Sequence, residues 1–291
     1  MMRRVMITGA AGQLGFELQR TAPAGTEIVA LDIEQLDLTD VAAVDACVAG
    51  QQPSVIINCA ASTAVDRAES QPEMAEAVNV TAVKALATAG KQHCARMIQI
   101  STDFVFGAGN GVPWTPSDLT DPQSVYGRTK RDGERAVLDV LGSDALVIRT
   151  AWLYSAHGGN FVKTMLRLMA ERDEVRVIAD QIGTPTWAHS LACTIWAAVD
   201  RQTVSGILHW TDAGVASWYD FAVAIQEEGV ARGLLTRHVP VLAISTTDYP
   251  TPAARPSYSV LDKSDTVIML GTTPTDWRVN LRHMLDELLN V

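Results

Sequence analysis

A glycine-rich turn directly after the first apolar run constrains the fold of this chain most strongly. The segment 3–8 begins with two arginines and continues with the apolar residues 5–7, which is typical of a first strand. Gly9, Gly12 and Gly15 follow it, and a stretch with helical periodicity comes next. Glycines in a strand-to-helix turn let the backbone bend sharply and approach a ligand closely, and the free amides at a helix start bind phosphate groups. The pattern therefore predicts a strand and a helix with a phosphate-binding turn between them.

Strand-like and helix-like segments alternate regularly through the first half of the chain. This order is expected of β–α–β units around a parallel sheet. We therefore predict an α/β fold, a Rossmann-type doubly wound parallel sheet, with residues 1–151 forming mainly a dinucleotide-binding domain. A long helix is expected at 124–141. The predicted strands are 3–8, 27–31, 54–58, 96–101 and 146–150.

The pattern loosens after residue 151, where loops rich in glycine, proline and threonine separate shorter elements. We predict that residues 152–291 form mainly a smaller C-terminal substrate-binding region, with some elements returning to the first domain. Helices are expected in this half at 160–171, 189–199, 217–228 and 276–289.

The chain is acidic, with 33 Asp and Glu residues against 23 Lys and Arg residues and a formal net charge of −10. Such a surface repels polyanions, so no nucleic-acid partner is expected. No apolar run approaches the roughly 20 residues that a membrane helix needs, so no membrane partner is expected. Cys47, Cys59, Cys94 and Cys193 form no Cys-x-x-Cys pair, which disfavours a zinc ribbon and favours reduced thiols in a cytoplasmic protein. No residues have metal-ligand spacing, so no metal site is predicted.

An acidic residue, Asp32, ends the second predicted strand about 20 residues after the glycines, where a carboxylate binds the ribose of a dinucleotide. The segment 32–34 has no Arg or Lys to neutralise a 2′-phosphate, which favours NADH, while NADPH stays a candidate. The alternatives are a glycine turn without a ligand and a solvated acid at Asp32. The cofactor-binding residues predicted on these segments are Gly9, Gly12, Gln13, Leu14, Gly15, Asp32, Asp37, Leu38, Ala60, Ala61, Ser62 and Thr63.

A Ser/Thr strand end and a Tyr-x-x-x-Lys sequence suggest a catalytic group. Tyr126 and Lys130 share one face of the predicted helix, so the ammonium is expected to lower the pKa of the phenol and make it a better proton donor. Thr102 would hydrogen-bond the same carbonyl oxygen. We predict that Thr102, Tyr126 and Lys130 are catalytic, and that Tyr126 and Lys130 also contact the cofactor. The six histidines are scattered, and no Gly-x-Ser-x-Gly or His-Glu-x-x-His sequence supports a hydrolase or zinc enzyme.

Motifs spread over nearly the whole chain resemble the extended short-chain dehydrogenase/reductases and, more closely, the dTDP-4-dehydrorhamnose reductases. This resemblance implies an NADPH- or NADH-dependent reduction of the C4 keto group of dTDP-4-dehydro-L-rhamnose, giving dTDP-L-rhamnose. It also leaves Mg²⁺ and a homodimer open. The motifs are the segments 12–15, 60–69, 101–106, 126–130, 149–154, 160–166, 180–186 and 249–256.

The resemblance also implies a set of substrate-binding residues. Thr102 and Asp103 would touch the sugar, and Trp152 would form part of its pocket, although a large aromatic is often a core residue. Arg255 would pair with the diphosphate or else be a solvated arginine, and Asn160 begins a helix whose amides would face an anion. Family patterns often carry a second arginine where this chain has alanine at 254, which puts the diphosphate contacts in doubt.

Two other functions remain open at the level of the sequence. One is another nucleotide-sugar ketoreductase or epimerase, which would differ in the shape of the sugar pocket. The other is a non-catalytic regulatory subunit resembling that of methionine adenosyltransferase, because a shared fold does not establish catalysis. The complete Thr102, Tyr126 and Lys130 set favours an enzyme.

Overall fold

The strands of the computed structural model, which describes residues 3–109 and 111–290, are mostly short and apolar. In chain order they are β1 (Arg3–Thr8), β2 (Thr26–Leu31), β3 (Val55–Asn58), β4 (Arg96–Thr102), β5 (Ala145–Thr150), β6 (Leu153–Tyr154), β7 (Val175–Ile178), β8 (Ile182–Gly183), β9 (Thr186–Trp187), β10 (Gly206–His209), β11 (Ala216–Ser217) and β12 (Val241–Ile244).

The α-helices alternate with the first five strands and then dominate the second half. The predicted long helix and the four predicted C-terminal helices are all present, with ends within three residues of those expected. In chain order the helices are α1 (Gln13–Arg20), α2 (Val41–Gln51), α3 (Val65–Ser70), α4 (Pro72–Glu76), α5 (Ala82–Gln92), α6 (Val125–Leu141), α7 (Phe161–Glu171), α8 (Ala188–Asp200), α9 (Trp218–Ala231), α10 (Ser264–Leu270) and α11 (Trp277–Leu288).

Six strands form one parallel sheet in the order β10-β5-β4-β3-β1-β2. The strand β2 is added on one side of β1, and β3, β4 and β5 are added on the other. The order of the strands therefore reverses at β1, where Val5 lies between Ile28 of β2 and Val55 of β3. In such doubly wound sheets a crevice opens beyond the carboxyl ends of the strands at this switch point. The predicted α/β, Rossmann-type doubly wound sheet is confirmed, and the five predicted strands agree with the observed ones to within one residue at each end.

Both faces of the sheet are covered, as side-chain alternation along the strands requires. Val5 and Ile7 pack in a buried cluster with residues of α1 and α8. Met6 points to the other face, into a cluster with residues of α2, α5 and α6. A third cluster lies in the second half, where residues of α7 and α11 pack around Phe221 of α9, which has no exposed surface.

Two elements from the second half of the chain, β10 and α8, pack against the sheet formed by the first half. The strand β10 pairs in parallel with β5 at the edge of the sheet, with Leu208 opposite Ile148. Helix α8 packs against α1, and the Trp196 indole donates a hydrogen bond to the carbonyl oxygen of Leu18 at 3.1 Å. The chain therefore crosses back to the sheet after forming most of the C-terminal region, so the two halves share one core.

Replacing Gly15 should destabilise the protein, because a Cβ atom there would lie 2.3 Å from the carbonyl oxygen of Gly9. We expect Gly15→Ala to lower the free energy of unfolding by about 1–3 kcal/mol in urea titration. Gly50 is the matched control, since it is also helical and no described atom lies within 4 Å of its added Cβ. Gly50→Ala should raise stability by roughly 0.5 kcal/mol. Equal stability of the two variants would contradict this packing.

Candidate active site

The carboxyl ends of the parallel strands open into a cleft of about 990 Å³. The glycine turn, the ends of β2, β3 and β4 and the start of α6 form its walls. Most of the residues singled out from the sequence are brought together here. The predicted site residues that line the cleft are Gly9, Gly12, Gln13, Leu14, Gly15, Asp32, Asp37, Leu38, Ala60, Ala61, Thr63, Thr102, Asp103, Tyr126, Lys130, Trp152 and Arg255.

Two predicted ligand-contact residues, Ser62 and Asn160, are not part of this lining. The main chain of Ser62 is held by Asn79, whose Oδ1 accepts from the Ser62 amide at 2.9 Å and whose Nδ2 donates to its carbonyl at 3.2 Å. Asn160 caps α7 by accepting from the Lys163 amide at 3.1 Å, and its own amide donates to Gln13 Oε1 at 2.9 Å. In the described structure Asn79 thus holds the Ser62 loop and Asn160 holds the start of α7, and a ligand contact by either residue stays a prediction.

The glycine turn has the geometry of a phosphate-binding turn. Gly9 has a φ of +68°, and a Cβ atom there would lie 2.7 Å from the backbone nitrogen of Ala60, so only glycine lets the turn meet the end of β3. Gly12 precedes α1, and no described side chain caps this helix. The first amides of α1 are thus left without a side-chain acceptor, as an anion-binding helix start requires. A dinucleotide fits the residues present.

Asp32 joins the end of β2 to this turn. Its Oδ2 accepts a hydrogen bond from the Ala11 amide at 2.7 Å, and its Oδ1 accepts from the Ile33 amide at 2.8 Å. The carboxylate is therefore fixed at the cleft wall and is not a freely solvated acid. Its role in ribose binding remains a prediction.

Close packing brings the start of α6 against the segment after β4. Ser124 caps the helix by accepting from the Gly127 amide at 3.1 Å. A Cβ atom on Gly127 would lie 2.2 Å from the carbonyl oxygen of Phe104, so glycine is needed where the two segments touch. Tyr126 and Thr102 both line the cleft, and Thr102 lies close enough to affect the pKa of the phenol. The predicted catalytic tyrosine and threonine therefore lie together at the base of the cleft.

The pKa of Tyr126 differs in direction from the sequence prediction. Burial raises the pKa of the phenol to about 12, the hydrogen bond with Thr102 opposes the rise, and the charge of Asp103 adds to it. The expected lowering by Lys130 is wrong here, because the side chain is 9% exposed and the loss of hydration dominates. A phenol with this pKa keeps its proton at neutral pH, which a proton donor needs.

Lys130 is buried on the same helix face and is held by the sheet. Its Nζ donates a hydrogen bond to the carbonyl oxygen of Ile100 at 2.7 Å. Burial lowers the pKa of the ammonium to about 8, and the negative charge of Glu134 opposes that shift. Glu134 is itself paired with Arg149 through two hydrogen bonds of 2.9 and 2.7 Å, and both side chains are buried. The sequence analysis did not predict this pair, whose members are 15 residues apart in the chain.

Three buried polar atoms at the strand ends lack a hydrogen-bond partner within the described chain. They are Ser101 Oγ, Asp103 Oδ2 and Thr150 Oγ1, at or next to the carboxyl ends of β4 and β5. All three residues line the cleft. Burial also raises the pKa of Asp103 to about 6. Because buried polar atoms are normally paired, these atoms are an exception that the protein contacts alone do not explain.

A second cavity of about 880 Å³ adjoins the cleft and has a largely apolar wall. Trp152 and Trp218 line both spaces, and their rings stack with centroids 3.6 Å apart and planes 8° apart. The backbone of Trp152 has a φ of +47°, which is unusual for a residue other than glycine. The sequence analysis missed Trp218, because only its position after the Ser217 cap was visible and not its contact with Trp152.

Arg255 also lines both spaces, and it is neither solvated nor free. Its Nη2 lies 2.7 Å from Oδ2 of Asp66, and its Nη1 donates to Oδ1 of the same carboxylate at 3.1 Å. This ion pair holds the pKa of Asp66 below its usual range. The sequence analysis included position 66 in a motif but assigned it no role.

The described residues contain neither a candidate metal site nor a candidate membrane-spanning helix. Among residues 3–109 and 111–290, no group of three or more His, Cys, Asp or Glu side chains is arranged to hold a metal ion. Within the same part of the chain, no helix is both long and apolar enough to cross a membrane. The Mg²⁺ left open by the resemblance is therefore assigned no ligands.

The sheet order, the glycine turn and the grouping of Thr102, Tyr126 and Lys130 define the class of extended short-chain dehydrogenase/reductases. A family model described as RmlD substrate binding domain matches residues 2–290. The dTDP-4-dehydrorhamnose reductase of Escherichia coli K12 is 40% identical over 293 residues, which cover 98% of this chain and 97% of that protein. The chain therefore belongs to the dTDP-4-dehydrorhamnose reductase family, which confirms the resemblance found in the sequence.

Two solved structures show the same similarity in three dimensions. A dTDP-4-dehydrorhamnose reductase from Clostridium acetobutylicum has a TM-score of 0.93 and 40% identity, covering 98% of this chain and 99% of that one. The enzyme from Bacillus anthracis in complex with NADP has a TM-score of 0.92 and 34% identity, covering 99% and 100%.

The lowered pKa of Lys130 predicts a pH dependence for carbonyl reduction. The ammonium loses its proton as pH rises through about 8, so kcat/KM should fall above that pH if the positive charge is needed. Lys130→Met should be slow at every pH and should lack this alkaline limb. Lys84→Met is the control, because Lys84 is exposed on α5. A wild-type profile retained by Lys130→Met would contradict the assignment.

Proposed function

We propose that this enzyme reduces the C4 keto group of dTDP-4-dehydro-L-rhamnose to give dTDP-L-rhamnose, with NADPH or NADH as the hydride donor. The observation that carries the proposal is the grouping of the buried Tyr126 with Thr102 and Lys130 in the cleft next to the tryptophan-lined cavity. The names of the full-length relatives support the choice of substrate.

The first part of the site is suited to a nicotinamide dinucleotide, which supplies the hydride when bound. The uncapped amides of α1 receive the pyrophosphate, with Gly12 at the turn. Asp32 accepts from a ribose hydroxyl and disfavours a 2′-phosphate by its charge. The NADP complex of the Bacillus anthracis relative supports the phosphorylated cofactor as well, so both forms belong to the proposal.

The chemistry at the carbonyl follows from the protonation states of the chain's own groups. Tyr126 transfers its phenolic proton to the carbonyl oxygen while hydride reaches C4, and Thr102 holds the same oxygen by a hydrogen bond. The phenolate that this leaves regains a proton from solvent after product release, and Lys130, on the same helix face, supplies a positive charge to the cleft. Asp103 Oδ2, which lacks a partner in the described chain, accepts from a hydroxyl of the sugar.

The substrate fits across the two adjoining spaces. Trp152 and the stacked Trp218 together form an aromatic wall for the sugar at the junction of the two spaces, where apolar surface packs against a deoxysugar. Arg255 binds the diphosphate.

We place the reaction in the cytoplasm, a reducing compartment in which the four free cysteines remain thiols.

The direct test is turnover by the purified chain with dTDP-4-dehydro-L-rhamnose, followed by the loss of NADPH or NADH absorbance. Formation of dTDP-L-rhamnose supports the proposal. Turnover only with another nucleotide sugar would favour a different ketoreductase or an epimerase. Absence of turnover with every nucleotide sugar would favour the regulatory-subunit alternative, against which the complete catalytic set argues.

The variant Tyr126→Phe should lose most of the activity and keep the fold. The ring still packs, but no proton is available, so kcat should fall by about 10²- to 10⁴-fold. Binding of NADPH, measured by tryptophan fluorescence, should change little. Tyr219→Phe is a control on α9, outside both cavities. A kcat near that of the wild type would remove Tyr126 from the role of acid.

The variant Asp32→Asn should shift cofactor preference. The amide oxygen still accepts from the Ala11 amide, but the charge that repels a 2′-phosphate is gone. We expect the ratio of kcat/KM for NADPH to that for NADH to rise by about tenfold, the equivalent of roughly 1.4 kcal/mol. The exposed neighbour Glu34→Gln is the control. If both variants leave the ratio unchanged, Asp32 does not face the ribose.

A further inference from the structure

One carboxylate holds both the side chain and the main chain of the loop that carries Arg255. Asp66 lies on α3, and its Oδ1 accepts from the backbone amide of Ala253 at 3.2 Å in addition to its two contacts with the guanidinium. The carbonyl oxygen of Ala253 in turn accepts from Arg255 Nη1 at 3.1 Å. The loop 251–255 is thus folded around the arginine, and Asp66 holds it from the other half of the molecule.

The contacts occupy only part of the arginine's donor set. Asp66 takes the edge formed by Nη1 and Nη2, and Nη1 also donates to Thr251 Oγ1 and to the carbonyl oxygen of Ala253. No described residue accepts from Nε, and Nη2 has one further hydrogen. Nε and Nη2 form a second edge with two parallel N–H groups, which matches two oxygens of a phosphate. Asp66 leaves this edge available.

Helix α3 gives Asp66 a fixed base next to the catalytic residues. Glu69, one turn after Asp66, accepts a hydrogen bond from the backbone amide of Val125 at 2.7 Å. Ala68 packs in one buried cluster with Tyr126. The helix that holds Arg255 is therefore attached to the first turn of the helix that carries the proton donor.

Asp66 itself lines neither cavity, whereas Arg255 lines both. The side chains are 41% and 23% exposed, and partly exposed pairs of this kind contribute little to stability. The pair is thus better explained by orientation of the guanidinium than by stabilisation of the fold.

On the basis of the proposed function, we propose that Asp66 is a positioning residue that orients Arg255 so that its Nε–Nη2 edge binds the diphosphate of the nucleotide sugar. Asp66 does not touch the substrate. The single remaining arginine in this loop then suffices, although the family pattern often has a second one at the position of Ala254. The loop and the proton donor share α3, so the diphosphate is bound at a fixed distance from the reacting carbon.

The kinetic test is a double-mutant cycle with Asp66→Asn, Arg255→Gln and the double variant. Asp66→Asn should raise KM for dTDP-4-dehydro-L-rhamnose about tenfold, on the scale of a charged hydrogen bond, and leave KM for NADPH unchanged. The double variant should be no worse than Arg255→Gln alone, because Asp66 acts through Arg255. Additive losses, or an unchanged or lower KM in Asp66→Asn, would overturn the proposal.

Asp66→Glu and Asp200→Asn serve as matched variants. Glutamate keeps the charge and should restore part of the KM effect. Asp200 forms a 2.6 Å ion pair with Arg3 that also joins the two halves, far from the site in the fold, so Asp200→Asn should leave KM for both substrates at wild-type values. An equal KM increase in Asp200→Asn would indicate a general structural effect and would count against positioning by Asp66.

Hydrogen–deuterium exchange separates this proposal from the proposed function, because it needs no turnover. Peptides covering 249–256 should exchange faster in Asp66→Asn than in the wild type, since an uncharged amide with one oxygen holds the Arg255 guanidinium, and with it the loop, less tightly than the carboxylate does. Inorganic pyrophosphate should slow the exchange of these peptides in the wild type and have little effect in Asp66→Asn. If the wild type lacks reductase activity but shows this difference, only the proposed function fails. If exchange is the same in both proteins, the positioning role fails.

Discussion

The hydrogen bond from Lys130 Nζ to the carbonyl oxygen of Ile100 fixes the relation between α6 and β4, on which the site depends. Ile100 lies two residues before Thr102, and Lys130 lies one helical turn after Tyr126. The contact between Lys130 and Ile100 therefore brings Tyr126 close to Thr102. The bond also keeps an ammonium group in a buried place, where Glu134 and then Arg149 extend a line of alternating charges away from the cleft.

Burial sets the protonation states that the chemistry needs. It raises the pKa of Tyr126 to about 12 and lowers that of Lys130 to about 8, so that at neutral pH the phenol keeps its proton and the lysine its charge. Burial raises the pKa of Asp103 to about 6, which leaves this carboxylate mainly ionised at neutral pH and able to accept from a sugar hydroxyl. The cleft is thus arranged to donate one proton and to accept hydrogen bonds nearby.

The sequence predicted what depends on local patterns. Apolar runs indicated the five strands, and a glycine pattern identified the turn at Gly9, where the backbone has no room for a side chain. The spacing of Tyr126 and Lys130 placed both on one helix face. Spacing could not give the direction of the tyrosine pKa, because burial by residues distant in the chain outweighs the effect of one neighbouring charge.

Contacts between distant segments could not be read from the sequence. The Asp66–Arg255 pair joins residues 189 positions apart, and the stacked Trp152 and Trp218 come from different elements of the second half. Asn160 had the expected helix-capping position. The hydrogen bond from its side-chain amide to Gln13 depends on how the two halves of the chain pack. Local propensity defines the elements, whereas the packing of the halves decides which side chains enter the cleft.

The reaction proposed for the cleft transfers hydride from the nicotinamide to C4 of the sugar while Tyr126 protonates the carbonyl oxygen. The most direct measurement uses NADPH labelled with deuterium at the transferable position of its nicotinamide, with dTDP-4-dehydro-L-rhamnose as acceptor, and locates the label in the product by NMR. This reaction predicts one deuterium at C4 of dTDP-L-rhamnose and none on the other carbons of the sugar. A product without deuterium, or with deuterium on another carbon of the sugar, would contradict it.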